Sequence, residues 1–523
     1  MPDYMFLLES RLSPEQRAAL ERVRELARSQ DMNVYLTGGA VRDLISGQTI
    51  RDLDFTVEGN PVRMVRELEK GGARVTLENE RLRHYELIFA GDVDGSISGA
   101  REDVYSRPGA KPEHKFSGIM EDLRRRDFSV NAIAISLNAQ SRGLLIDPMN
   151  GLADLEKQEI RSLSIHGFTN QPVRLMRILR YCARMTFNME QRTQEWFDLA
   201  IERGLQENLD PGDVGDEVRA LSRDDNPAAT LKSWESRGML TSLHPQLQRR
   251  KPDYDSLNKL AKVRGNLMGY GVRPRLHVAV IYYIFGRLKP REASAALRHL
   301  EFRSAELDAV ASLVPETQKV VAVLKGRKTN TPRDAYAYIA SLPAEVLAFI
   351  EVELPNPKAL SKIRNYFQKW HPMRAALPAN ELESLGIARG PQFDKILEQL
   401  FEMQLRGKAR NPEDRTKILR QLAGIKEEPK KKPEKPKKKG KGGIEEMPVQ
   451  AAGGKQPEKA ARPNGAASPA VPTGGAKPPK GPSQSAAAAI GAKAQVKHNE
   501  AAAGSRAKAM PKSKARPGKK ARR

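Results

Sequence analysis

Residues 33 to 58, NVYLTGGAVRDLISGQTIRDLDFTVE, carry side chains whose types and spacing suit chemistry on a phosphate. From Asp52 to Glu58 carboxylates alternate with apolar residues as in a strand, which sets Asp52 and Asp54 on one face. Two carboxylates pointing the same way, with no basic residue between them, form a hard oxygen site of the kind Mg²⁺ prefers when substrate phosphates also hold it. The pair Gly38-Gly39 supplies the other half, because a glycine turn before a helix lets the backbone approach a phosphate and aims amide N–H groups at it. Either feature alone is commonplace: a turn, or a solvated strand edge. Twelve residues, 40 to 51, separate Gly39 from Asp52, enough for a short helix and a return, so turn and carboxylates can face one nucleotide.

Two further stretches bear on the same chemistry. In EDLRRRDFSVNAIAISL, residues 121 to 137, Arg125, Arg126 and Asp127 precede an apolar segment with Asn131 inside it. Guanidinium groups suit a triphosphate or a base edge, and Asp127 suits a ribose hydroxyl. In QPVRLMRILRYCARM, starting at Gln171, the arginines 174, 177 and 180 stand three apart and form a basic ridge on a helix with apolar neighbours. A ridge of this kind is ordinarily a solvated face.

The string GGAVRD…RDLDF resembles the class II tRNA nucleotidyltransferases and bacterial poly(A) polymerases, within the superfamily that includes DNA polymerase β. RRDFSVNA looks like that family's second motif, and the ridge matches its D-P-x-R-x-x-R-x-x-R neck helix. The resemblance implies catalysis and Mg²⁺ binding by Asp52 and Asp54. It implies nucleotide binding by Gly38, Gly39, Arg42, Arg126, Asp127, Asn131, Gln171, Arg174, Arg177 and Arg180, the last two on phosphates. There are two departures. Position 171 is Gln where the family reads the base with Asp, and an amide offers both donor and acceptor. Aligned on Arg101 and Tyr105, Ser96 occupies the place of a third carboxylate, unless the strand is offset and Asp92 or Asp94 takes it.

The elements that must position these groups are readable in order. Ser13, Pro14 and Gln16 open a helix running to about Ser29, which leads into the Asn33 strand. Asn60 caps a helix from Pro61 to Lys70 ended by Gly71-Gly72, and Ala73–Leu77 and Tyr85–Ala90 read as further strands. LLIDPMNG, 144 to 151, resembles the strand and turn that close the family's head. Beyond Asn170 the pattern is helical only, with stretches near 190–203, 213–222, 226–238, 273–285, 291–299, 304–325, 332–352 and 356–368. The LGI-x-x-GP turn at 385 to 391 resembles the C-terminal region of bacterial CCA-adding enzymes.

The expected fold is α+β: a DNA polymerase β-like head with a mixed sheet over 1–165, a helical neck over 166–245, a helical body over 246–425 and a tail over 426–523. The tail holds 25 Lys and Arg against 7 Asp and Glu, a net of +18 out of +25 for the chain, and it has no aromatic residue. Such a composition cannot bury enough apolar surface to offset ordering entropy, so the tail is expected to be disordered and to contact RNA non-specifically. No apolar run is long enough for a membrane span. The first residues lack the order of a signal peptide, so a cytoplasmic location is expected. The single Cys182 excludes an intramolecular disulfide and reads as a small core residue. None of the 8 histidines precedes an Asp, so a His-Asp phosphohydrolase module has no candidate.

The resemblance implies addition of CMP or AMP, from CTP or ATP, to a tRNA 3′ end by two-metal phosphoryl transfer. Poly(A) synthesis on RNA 3′ ends is the alternative within this class, and an RNA-binding protein with an inactive head is the alternative outside it.

Overall fold

A computed structural model of the chain describes residues 4–409 and 411–424. The expected disordered tail lies outside the described residues.

The first turn of the helix Pro14–Ser29 is built as its sequence directs. Ser13 Oγ accepts from the Gln16 amide at 3.2 Å while Gln16 Oε1 accepts from the Ser13 amide at 3.0 Å. The Gln16 side chain also donates to the Ile50 carbonyl at 3.0 Å, tying this helix to the segment that enters the carboxylate strand. The strands that follow are β1 (Asn33–Thr37), β2 (Leu53–Glu58), β3 (Arg74–Asn79), β4 (His84–Phe89), β5 (Val93–Gly99), β6 (Arg101–Val104), β7 (Glu113–Phe116), β8 (Ala134–Ser136) and β9 (Leu145–Ile146). Seven of them form one mixed sheet in the order β3-β4-β5-β2-β1-β8-β9, while β6 and β7 form a separate hairpin.

β2 lies antiparallel to β1 and parallel to β5, so the carboxylate strand is central and its register is held from both sides. Gly95 is needed for that parallel pairing, since a Cβ there would sit 2.3 Å from the Leu53 carbonyl oxygen. The helix Val62–Lys70 begins one residue later than expected, with Asn60 Oδ1 accepting from the Val62 amide at 3.1 Å.

After Asn170 every long element is a helix. Glu190, Asp210, Asn226 and Asp253 each cap one by accepting from its first free amides. The helix Tyr254–Gly269 lies in a stretch where no helix was expected. The helix expected from 273 begins only at His277, because Pro274 forces Arg273 out of the helical region. One long helix expected over 332–352 is two, Pro332–Ala340 and Ala344–Glu353, bent by 110° at Pro343. A single hydrophobic core runs from Met5 to Phe367, through head, neck and body alike, and a smaller cluster around Leu382, Phe393, Leu400 and Leu419 closes the C-terminal part. Among the described residues no single helix is long and apolar enough to cross a membrane.

Candidate active site

The sheet brings turn and carboxylates together. Gly38 sits at φ +65°, which favours glycine, and a Cβ there would meet Arg126 Nη1 at 3.0 Å. A Cβ on Gly39 would lie 3.7 Å from Asp54 Oδ2. The turn, Asp54 and Arg126 therefore line one small space. Asp52 stands just ahead of β2, half-buried like Asp54.

Arg126 is held over this space by three head elements. It donates to Asp122 Oδ2 at 2.9 Å, to the Asn131 carbonyl at 3.1 Å and to Thr56 Oγ1 at 3.1 Å. Asp122 is fully buried and also takes Arg125 at 2.6 Å; burial opposes its charge, but the two guanidinium groups hold its carboxyl below the usual range. Its role escaped the sequence reading, although its spacing to Arg125 and Arg126 on one helix is the i,i+3 and i,i+4 signal of ion pairing.

Arginines abound here, yet none closes on the carboxylate pair. Asp52 has no hydrogen-bond or ion-pair partner among the described residues, and Asp54 has only Ser96, whose hydroxyl donates to Oδ1 at 2.7 Å. Burial, and then the neighbouring Asp52, push the Asp54 carboxyl up to about 6, against the pull of Ser96, Arg126 and Arg42. Two adjacent, partly desolvated carboxylates left uncompensated suit a hard divalent cation, with substrate phosphates and water as the further ligands. No cluster of three or more metal-binding side chains occurs among the described residues. Ser96 faces Asp54 across the parallel register, as the alignment on Arg101 places it; Asp92 and Asp94 are instead paired with Arg275 at 3.1 and 3.4 Å.

The neck meets the head at Tyr105 and Asp127. Gln171 Oε1 accepts from Arg174 Nε at 2.8 Å, and its Nε2 faces the Tyr105 hydroxyl at 3.4 Å. The amide oxygen thus meets Arg174 as a carboxylate would. Asp127 accepts from the Phe128 amide at 2.8 Å, from Asn131 at 3.0 Å and from Arg177 at 3.2 Å; burial would raise its pKa, but Arg177 and Arg174 hold it low.

The remaining expected nucleotide contacts are differently placed. Arg42 is only 2% exposed, bonded to Asp43 at 2.9 Å and Asn131 at 2.7 Å, and Arg180, 5% exposed, donates to Glu217 at 2.9 Å. Both are buried and committed to these partners, although Arg42 Nη2 still lies beside the turn, 3.5 Å from where a Cβ on Gly39 would sit. Arg177 also gives its Nε to Glu217, at 2.5 Å, and keeps a partly exposed edge. The reason is electrostatic: buried guanidinium groups require carboxylates, and Glu217 and Asp224 supply them from elsewhere in the neck. Asp127–Arg177–Glu217–Arg180–Asp224–Arg184–Asp43–Arg42–Asn131 in fact closes on itself as one ring of polar contacts. Cys182 sits beside it with its thiol pushed up to about 12 by burial, which removes it as a nucleophile.

Residues 34–161, the stretch holding the glycine turn, both carboxylates and Arg126, match the family described as Poly A polymerase head domain. The chain is 26% identical over 424 residues to the A-adding tRNA nucleotidyltransferase of Halalkalibacterium halodurans, covering 80% of this chain and 95% of that one. The A-adding tRNA nucleotidyltransferase of Geobacter sulfurreducens is 25% identical over 417 residues, 78% of this chain and 47% of its own. The chain thus spans less than half the length of that relative, and of the Aquifex aeolicus enzyme of the same name, at 44%. Among solved structures, a Thermotoga maritima CCA-adding enzyme complexed with tRNA aligns over 81% of this chain at 22% identity and a TM-score of 0.42.

Proposed function

We propose that this protein extends RNA 3′ ends, transferring AMP or CMP from ATP or CTP, with tRNA as the substrate. The observation that carries this reading is the uncompensated pair Asp52 and Asp54 beside Gly38-Gly39 and Arg126, in a region where nearly every other buried charge is paired. The names of the relatives that align over most of this chain favour tRNA and A addition.

In this reading Arg126 and the glycine turn take the triphosphate, Gln171 and Arg174 meet the base edge, and Asp127 takes the ribose. Asp52 and Asp54 would hold Mg²⁺, which when bound activates the RNA 3′-hydroxyl and neutralises charge on the leaving pyrophosphate. Asp54 must be deprotonated to act as a ligand, so proton and cation compete for it and acid weakens cation binding. Base choice rests on protein side chains, with no nucleic-acid template.

The test is incorporation of labelled ATP and CTP into tRNA transcripts ending before CCA, after the first C, or after CC. A addition confined to the CC end supports an A-adding enzyme, complete CCA on the shortest transcript a CCA-adding one, and long A tracts on unrelated RNA a poly(A) polymerase. Asp52→Ala and Asp54→Ala should each abolish incorporation and leave RNA binding nearly unchanged. Wild-type-like incorporation by both variants refutes the assignment.

A further inference from the structure

A cavity of about 520 Å³, lined by Asp52 but not by the glycine turn, Asp54 or Arg126, opens between the head and the helical body. Asp52 is one wall. The parallel register that sets Leu53 beside Gly95 places Asp52 next to Asp94, which also lines the cavity. The lining holds six arginines, and four of them are spent: Arg51 on Asp224, Arg184 on Asp43, Arg264 on Asp225, and Arg275 on Asp92 and Asp94. Arg223 and Arg273 are exposed, and neither side chain has a hydrogen-bond or ion-pair partner among the described residues. Arg223 leaves the end of the helix Pro211–Ser222, and Arg273 belongs to the irregular segment that Pro274 keeps out of the helix His277–Phe285. Two guanidinium groups from different elements, neither hydrogen-bonded nor ion-paired among the described residues, thus line a space shared with a proposed catalytic carboxylate.

In-line phosphoryl transfer requires the attacking oxygen and the leaving pyrophosphate on opposite sides of the reacting phosphorus. The glycine turn and Arg126 stand on the Asp54 side, so a strand delivering the attacking hydroxyl must arrive from the Asp52 side, where the cavity lies. Its volume is in the range of a small-ligand site, room for a terminal nucleotide. We infer that Arg223 and Arg273 bind the last phosphodiester of the incoming RNA strand and thereby seat its 3′-hydroxyl at Asp52. This deepens the proposed function and rests on it.

Neither side chain makes a hydrogen bond or ion pair among the described residues, so both can be replaced without breaking one, although Arg223 also acts electrostatically on Asp94 and His277. In the full chain, Arg223→Ala and Arg273→Ala should each raise the KM for the RNA substrate by roughly tenfold, the loss of one charge-assisted hydrogen bond, with kcat and the KM for nucleotide within about twofold of wild type. A second arm uses RNA whose last linkage is an uncharged methylphosphonate. It should raise the wild-type KM by a similar factor and add little to either variant, since phosphate and arginine act as one pair. Additive losses from the methylphosphonate and the variant overturn the inference. A rise in nucleotide KM alone assigns the cavity to the triphosphate, and unchanged constants make it a structural seam; both overturn it too. Wild-type protein that incorporates nothing into any RNA fails the proposed function instead, and RNA affinities of the same variants by anisotropy would then still report on the two arginines.

Discussion

Ser96 stands directly opposite Asp54 on the neighbouring parallel strand and donates its hydroxyl to Oδ1 at 2.7 Å. The hydrogen bond favours the charged carboxylate, against burial and against Asp52. Ser96→Ala should therefore move the Asp54 titration upward from about 6, and the acidic limb of kcat/KM with it. A carboxylate titration by NMR on metal-free protein measures the first, and a pH profile of incorporation the second; a limb that stays in place shows that Ser96 does not tune Asp54.

The same raised value carries a sign for stability. Asp54 binds its proton more tightly in the folded chain than at the ordinary aspartate value of 3.8, so folding is penalised increasingly as pH rises from there to about 6 and constantly above. Asp54→Asn should stabilise metal-free protein at pH 7.5 by up to about 3 kcal/mol and have almost no effect near pH 3.5. Thermal unfolding at the two pH values checks it.

Gln171→Asp should sharpen selection of ATP and CTP over GTP and UTP. The amide oxygen already meets Arg174, so the change removes only the amide donors, which can reach carbonyl-bearing base edges. Arg174→Ala should broaden selection. Relative incorporation of the four nucleotides decides, and an unchanged ratio in both variants rejects base reading by this helix.

Glu217 is 2% exposed and serves Arg177 and Arg180 together. Glu217→Ala leaves two buried guanidinium groups short of a counter-charge and should cost roughly 3 to 5 kcal/mol of unfolding free energy. Denaturant unfolding measures this, and a loss below about 1 kcal/mol would mean that the neck relaxes around the gap.

Ending the chain at Gly424 should weaken RNA affinity and flatten its salt dependence, because the removed segment carries a net charge near +18. Each phosphate neutralised on a single strand contributes about 0.7 to the log–log slope, so roughly five contacts account for about 3 to 4 units. Equal slopes for the two chains would show that the tail is no RNA arm.

What the sequence made legible was local. The glycine turn, the alternation that exposes Asp52 and Asp54, and the caps at Ser13 and Asn60 are all short-range patterns, and they stand in the structure within a residue or two. What it hid was long-range. Arg42 and Arg180 carry no local mark that Asn131 and Glu217 would absorb them, since those partners lie 89 and 37 residues away. The helix Tyr254–Gly269 buries only Leu257, Leu260, Val263 and Leu267 among polar neighbours, a stripe that a scan for apolar runs passes over.

The closed ring of polar contacts sets a limit on modularity. Asp43, Asp127 and Asn131 belong to the matched head, whereas Arg177, Arg180, Arg184, Glu217 and Asp224 come after it. A head excised near residue 165 would strip Arg177 from Asp127 and leave Asp43 with Arg42 alone, and a head grafted from a relative would need a neck carrying the same charges at the same depths. Recombination between such proteins should thus respect a seam after Asp224 far better than one at the end of the sheet.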